Sequence, residues 1–284
     1  MNATIFPVFC YSVAVISLII YSIVLPIIFI KTPKAKKDLS YMLLDILVWE
    51  FFADLIWGLF PVYPDHNNGC FYVLGHIAQL VPDLASSGIT FLLMHAFMAN
   101  VCLGVVLSFF YRWVVIVASS RIQNLGIKGA ALLSVSTRIL VGITFHFCSY
   151  GVFQPYQGST SSNTPYPTFC LNYTDGHATK IVSFELSFLF ICVFCVFFFV
   201  LSIILVLYKS EVSLSDTTLS LQKRFLVNLV ILFIYSAFMA GLPGFFLCIT
   251  TYLKLDGLET ATAVALLTVQ RLSRDVEAVY PALG

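Results

Sequence analysis

The stretch Ser108-Phe109-Phe110-Tyr111-Arg112-Trp113 decides how the chain is read. An apolar run from about Ile89 ends there in one fixed cation, flanked by aromatic residues that favour the membrane–water boundary. Arg112 is most simply the point where a buried helix emerges into the cytosol. Every span before or after it must then alternate in direction. Taken alone, the stretch is equally well described as a plain stop-transfer arginine with aromatic anchors.

The composition supports the membrane half of that reading. Of 284 residues, 60% are hydrophobic and only 10% charged, against about 25% charged in soluble domains. Folded in water, such a chain would expose far too much apolar surface, so it is an integral membrane protein. Its apolar runs are continuous rather than alternating, which makes the spans helices and argues against a β-barrel. The net charge of +1 carries no signal for nucleic acid. Met1–Phe9 lacks the basic residues of a secretory leader. The run that follows exceeds the roughly 7–15 residues of a leader's apolar core, so it reads as a span that stays in the membrane.

At roughly 20 apolar residues per span, the chain divides into an all-α bundle of seven helices, at about 8–30, 41–63, 84–111, 129–153, 181–208, 225–253 and 260–284. Pro26 lies near the end of the first, and Pro61 and Pro64 mark the exit of the second. Phe71–Leu84 is apolar but short and is interrupted by Pro82-Asp83. It reads as a membrane-edge segment that bends at Pro82 on its way into the third span. Pro243, between two glycines, predicts a kink in the sixth span. The seventh is weakly apolar, because Gln270, Arg271, Arg274, Asp275 and Glu277 all lie in it.

Cations set the orientation. With Arg112 inside, the inner loops hold Lys31, Lys34, Lys36, Lys37, Arg112, Arg121, Lys128, Lys209, Lys223 and Arg224, while the outer loops hold only Lys180 and Lys254. The N-terminus is therefore expected outside and the C-terminus inside. The sequons at Asn2 and Asn172 both fall outside under this arrangement and are candidate glycosylation sites. Cys70 and Cys170 are the cysteines in outer segments, where the compartment is oxidising. A disulfide between them would tie the entrance of the third span to the second outer loop; two free thiols are the alternative.

No Gly-x-Ser-x-Gly, His-Glu-x-x-His or phosphate-binding glycine loop occurs, and the five histidines are scattered, so no enzymatic constellation is present. Neither metal nor cofactor is called for. Charge inside the spans is more informative, because burying an ion in lipid costs several kcal/mol. Glu50 and Asp54 lie four apart, on one face of the second span, with Asp45 one turn from its inner surface and within reach of water. Arg138 lies deep in the fourth span, and Arg271 and Arg274 in the seventh. The second and seventh spans run antiparallel, and the depths match well enough for Glu50 and Asp54 to hold Arg271 and Arg274. Such charges suit a helix-packing network, a receptor's structural ion site, or ion coupling in a transporter.

Several segments together are similar to the nematode serpentine chemoreceptors, a large group of seven-helix, G-protein-coupled olfactory-type receptors. Asn68-Gly69-Cys70 precedes the third span by a long gap; Ser108–Trp113 resembles the group's Phe-x-Tyr-Arg-Tyr ending; Ser213–Leu226 resembles the segment entering its sixth span; Tyr280-Pro281 resembles its seventh-span exit. The chain departs from the group in its apolar Ile231–Tyr235 and later Pro243. The resemblance implies a receptor in the plasma membrane of a sensory neuron or its cilium, with a small chemical cue and a heterotrimeric G protein as partners. It places the cue among the outer halves of the third, fifth, sixth and seventh spans, where Asp83, His95, Glu185 and Tyr252 are candidate lining residues. Tyr111, Arg112, Gln222, Lys223 and Arg224 would face the G protein. A small transporter coupling protons or ions through Glu50 and Asp54 is the rival, but the inverted repeat and matched helix breaks of that class are absent.

Overall fold

Backbone amides in hydrocarbon find no water, so long apolar runs close their own hydrogen bonds as helices. The computed structural model of the chain describes residues 5–31, 37–65, 70–117, 126–155, 166–172 and 176–209, with 223, 226, 227, 230, 231, 233 and 234 beyond them. In chain order the elements are α1 (Ile5–Lys31), α2 (Lys37–Leu59), β1 (Val62–Asp65), β2 (Cys70–Val73), α3 (His76–Leu80), α4 (Pro82–Ser86), α5 (Ile89–Val117), α6 (Gly126–Ser149), β3 (Phe153–Pro155), β4 (Thr168–Leu171) and α7 (His177–Lys209). The described residues between 223 and 234 are helical. The span expected at 260–284 lies outside the described residues.

Among the described residues four helices, α1, α5, α6 and α7, are long and apolar enough to cross a membrane. At about 1.5 Å per residue even the shortest, α6 with 24 residues, exceeds the roughly 30 Å hydrocarbon core. Their outward faces carry Ile19, Ile23, Ile27, Leu140, Phe194, Phe197 and Phe198, all exposed. Lipid is the only solvent in which such faces are stable. α2 carries Asp45, Glu50 and Asp54 and is sheltered by packing against both α1 and α5.

Small residues let α1 and α2 approach closely. Cys10, Val13, Ala14, Ser17 and Tyr21 recur at helical spacing on the buried face of α1. A Cβ at Gly58 of α2 would lie 2.2 Å from Ala14 Cβ. Further along the pair, Tyr21 meets Phe51 edge-on at 5.3 Å, and Ser17 Oγ donates to Asp54 Oδ2 at 3.2 Å.

One end of the bundle is closed by a four-stranded antiparallel sheet in the order β1-β2-β4-β3. Cys70 and Cys170 stand opposite each other in the β2–β4 register and form the disulfide expected from their positions. The sheet buries Phe71, Val73 and Phe169 against Phe60, Ala78 and Ala85, with Phe91 and Phe153 packed around them. Its strands correct three expectations. The second span ends at Leu59 rather than Tyr63, the fourth at Ser149 rather than Phe153, and Cys70–Val73 is a strand rather than part of a membrane-edge segment. Tyr63, Phe71 and Phe153 are apolar enough to extend a hydropathy run, yet aromatics equally suit a strand with one buried face.

The bend at Pro82 is present. Pro82 opens α4 after the chain breaks at Val81, where φ is −130° and ψ 61°. A second turn follows at Gly88, where φ is +71° and an added Cβ would lie 2.7 Å from the Phe153 ring. Only then does α5 begin. Asn172, the sequon asparagine of the second outer loop, lies between β4 and α7. It is buried, its Nδ2 donates to Gly151 O at 3.2 Å, its N–H donates to Val152 O at 2.6 Å, and its carbonyl accepts from Ala178 at 3.2 Å. Its side-chain amide thus ties the end of β4 to the turn after α6, and its carbonyl ties it to the start of α7; Asn2 lies outside the described residues.

Close packing of α1 on α2 has a direct test. Gly58→Ala should lower the melting temperature of the detergent-purified chain, at a cost of roughly 1–3 kcal/mol for an overpacked methyl. Adding Ala14→Gly should restore most of the loss. A Gly58→Ala protein that melts with the wild type would show that the helices do not meet there.

Candidate functional site

α5 runs from the sheet-capped end of the bundle to the Arg112 end and carries candidate residues at both. Near the cap, His95 lies one turn beyond Phe91 and its ring packs against the Phe91 ring at 4.1 Å. His95 Nδ1 contacts Phe91 O at 2.8 Å. Its Nε2 faces Glu185 Oε1 of α7 at 3.8 Å, with the side chains 17% and 21% exposed. The fold thus joins two of the expected lining residues across two long helices and leaves both reachable. Above them Phe91 touches Phe71, Phe153 and Phe169, at ring separations of 5.0, 5.9 and 5.7 Å. Asp83, in the first turn of α4, is exposed rather than part of this pair. Tyr252 lies outside the described residues.

At the other end, α5 does not stop at Tyr111 but continues to Val117, and Arg112 is half-buried rather than emerging. The aromatic residues beside it are packing groups. Trp113 Nε1 donates to Ser202 Oγ of α7 at 2.8 Å, and both Phe110 and Trp113 contact Phe199, at 5.6 and 5.9 Å. Phe109 is fully buried and meets Phe233 edge-on at 6.2 Å. Leu226, Val230 and Phe233 join the same core, so the start of the sixth segment rests on α5 and α7. Lys223 is exposed there, while Gln222 and Arg224 lie outside the described residues.

The family model for the serpentine type 7TM GPCR chemoreceptor Srh matches residues 2–270. The chain belongs to that family. It is therefore a multi-pass membrane receptor of the seven-helix, G-protein-coupled class, in a family of receptors rather than enzymes. A comparison with curated proteins finds no match.

The charge network of this Srh receptor includes Asp45 beside the expected Arg138. Arg138 of α6 is paired with Asp45 of α2. Arg138 Nη1 also donates to Asn100 Oδ1 at 2.7 Å and to Asn100 O at 3.2 Å, Nε donates to Ser134 Oγ at 3.2 Å, and the guanidinium lies 5.0 Å over the Trp49 ring. Trp49 Nε1 donates back to Asp45 Oδ1 at 3.1 Å. Three helices are joined by this one cation. α2 begins at Lys37 rather than Tyr41, so Asp45 lies about 12 Å along it. Asp45 was missed as a network member because its partner lies in another span, 93 positions on. The signal in the sequence was Asp45 and Trp49 at i, i+4, with a deep unassigned arginine two spans on. A Cβ at Gly104 of α5 would lie 2.9 Å from Ile46 Cγ1, so glycine there admits the α2 side chain that follows Asp45, with Asp45 Oδ2 and Arg138 Nη2 at ordinary contact distance beyond it. Glu50 is half-buried, Asp54 accepts from Ser17, and Arg271 and Arg274 lie outside the described residues.

Breaking a buried ion pair by removing one partner costs roughly 3–5 kcal/mol. Asp45 keeps 35% of its side chain exposed, which sets the expected loss toward the lower end of that range. Arg138→Met and Asp45→Leu should each reduce the folded fraction at the cell surface, measured by antibody labelling, and the double change should recover part of it. Singles that express as the wild type would deny the pair a structural role.

Proposed function

We propose that this Srh receptor binds a small chemical cue at His95 and Glu185, beneath the disulfide-tied sheet, and signals to a heterotrimeric G protein from its Arg112 end. The observation that carries the reading is that α5 links the two places. His95 and Arg112 are 17 positions apart on one unbroken helix, a separation of roughly 26 Å. A cue that draws α7 toward or away from α5 at Glu185 acts on the same helix pair that Trp113 and Ser202 join at the far end. The segment carrying Leu226 and Phe233 rests on that pair and shifts with it in a two-state bundle. Pro243 would serve as the hinge of the sixth span.

The capped end faces outward in this reading, because the disulfide belongs in an oxidising compartment and the loop cations cluster at the opposite end. Tyr111, Arg112, Gln222, Lys223 and Arg224 then form the cytoplasmic face. The plasma membrane of a sensory neuron, or its cilium, is the corresponding location.

Membranes containing the receptor should accelerate guanine-nucleotide exchange on a co-expressed heterotrimeric G protein when a panel of small odorants is applied. Arg112→Ala should lower that response by about tenfold or more while leaving cue binding at the capped end intact. Unchanged exchange would reduce Tyr111-Arg112 to a membrane anchor. An epitope inserted between Lys31 and Asp38 should be labelled only after permeabilisation; labelling on intact cells would reverse the orientation and remove the G-protein face.

A further inference from the structure

The two short helices between the sheet and α5 have two unlike sides. Ala78 and Ala85 are fully buried, and Ile77 packs with them against Phe71 and Phe169 of the sheet. The opposite side presents Leu80, Val81 and Pro82 in succession, all exposed, with Leu80 at 79%. Among the described residues, the other strongly exposed large apolar side chains lie on the long helices, on the segment that carries Leu226, or at Tyr150 in the turn after α6. Three adjacent apolar residues at a bend make a patch rather than a stray leucine. The lipid-facing surface of α5 starts just beyond that bend, at exposed Ile89 and Leu93.

The depth of the bend follows from α1. A hydrocarbon core of roughly 30 Å takes about 20 helical residues. Counted back from Ile30, which precedes the loop lysines, that length ends near Tyr11. The Tyr11 hydroxyl stands against Gly75 at the entrance of α3, where φ is +105° and an added Cβ has no room. α3 therefore starts at the edge of the hydrocarbon. Its five residues extend only about 8 Å, comparable with the roughly 5–10 Å to which interfacial segments sink between headgroups and acyl chains. Whichever way α3 tilts, Leu80 stays within that layer.

We propose that the Leu80-Val81-Pro82 corner is a lipid anchor of the receptor. Leu80 and Val81 lie among the upper acyl chains of the leaflet at the capped end. His76, Gln79 and Asp83, exposed beside them, lie among its headgroups. Tyr150, exposed at the same end of α6, is of the residue type that favours this layer. The partner is the bilayer itself, and the assignment holds whichever side of the membrane the capped end faces. Through Leu74 the corner is joined to β2 and through α4 to α5, so the leaflet holds the sheet and the start of α5 at one level.

The full chain carrying Leu80→Trp, one copy per lipid nanodisc, reports the medium at the corner. The unaltered chain gives the emission of Trp49, Trp57 and Trp113 to be subtracted. In phosphatidylcholine brominated along its acyl chains the added emission should fall at least about twofold, and iodide in the water should remove no more than about a tenth of it. Val81→Trp, on the same bend, repeats the measurement if Leu80→Trp does not fold. Quenching by iodide and not by bromine would put the corner in water and overturn the proposal. Protection from both quenchers would mean that protein covers the corner, and would overturn it equally. None of these results bears on the chemoreceptor reading, which nucleotide exchange tests.

Discussion

A charge within a bilayer must bring its partner with it, and the pairing of Arg138 with Asp45 meets that constraint for this bundle. Neither α2 nor α6 could face lipid with its ion alone. Joined, they fix which sides of both helices turn inward, and Asn100 of α5 is bound into the same knot through Arg138 Nη1. The described long helix with the most charged residues, α2, is accordingly packed against both α1 and α5. A close α1–α2 contact at Gly58 and Ala14 completes that shelter without spending a large side chain.

The capped end follows a different rule. Outside the hydrocarbon, backbone groups can pair as strands, and four short ones do so between loops that are far apart in sequence. The Cys70–Cys170 bond closes a separation of 100 positions, so the two loops are held together by covalent as well as hydrogen bonds. Beneath them the phenylalanine cluster packs against His95, whose contact with Glu185 stays partly exposed. A rigid lid over a polar pair is suited to recognition, because little order has to be gained when a ligand enters.

Between these regions α5 is the common element. It contributes Phe91 and His95 to the cap, Asn100 and Gly104 to the ion pair, and Phe109 and Trp113 to the aromatic core at the far end. Its neighbour α7 meets it at both ends, through Glu185 and through Ser202. Two contacts of different character on one helix pair provide a physical route by which an event at one end reaches the other.

What the residues alone determined is whatever depends on local composition. Membrane class, helical spans, the break at Pro82, the Cys70–Cys170 pairing and the family resemblance all follow from runs and loops that can be read along the chain. The tertiary structure decided what depends on partners distant in sequence. Apolarity could not distinguish a helix end from a strand at Tyr63, Phe71 and Phe153, because aromatics satisfy both and the choice rests on the neighbouring strand. Asn172 is a sequon asparagine along the chain, and only the fold brings its amide to Gly151, 21 positions away. Asp45 reads along the chain as a residue within reach of water, and only the packing of the helices set Arg138, 93 positions on, against it. His95 and Glu185 were named separately as lining residues, and only the packing of α5 on α7 set one against the other. Helical periodicity places a side chain on its own helix; which helix it meets is settled by burial and charge summed over the whole bundle.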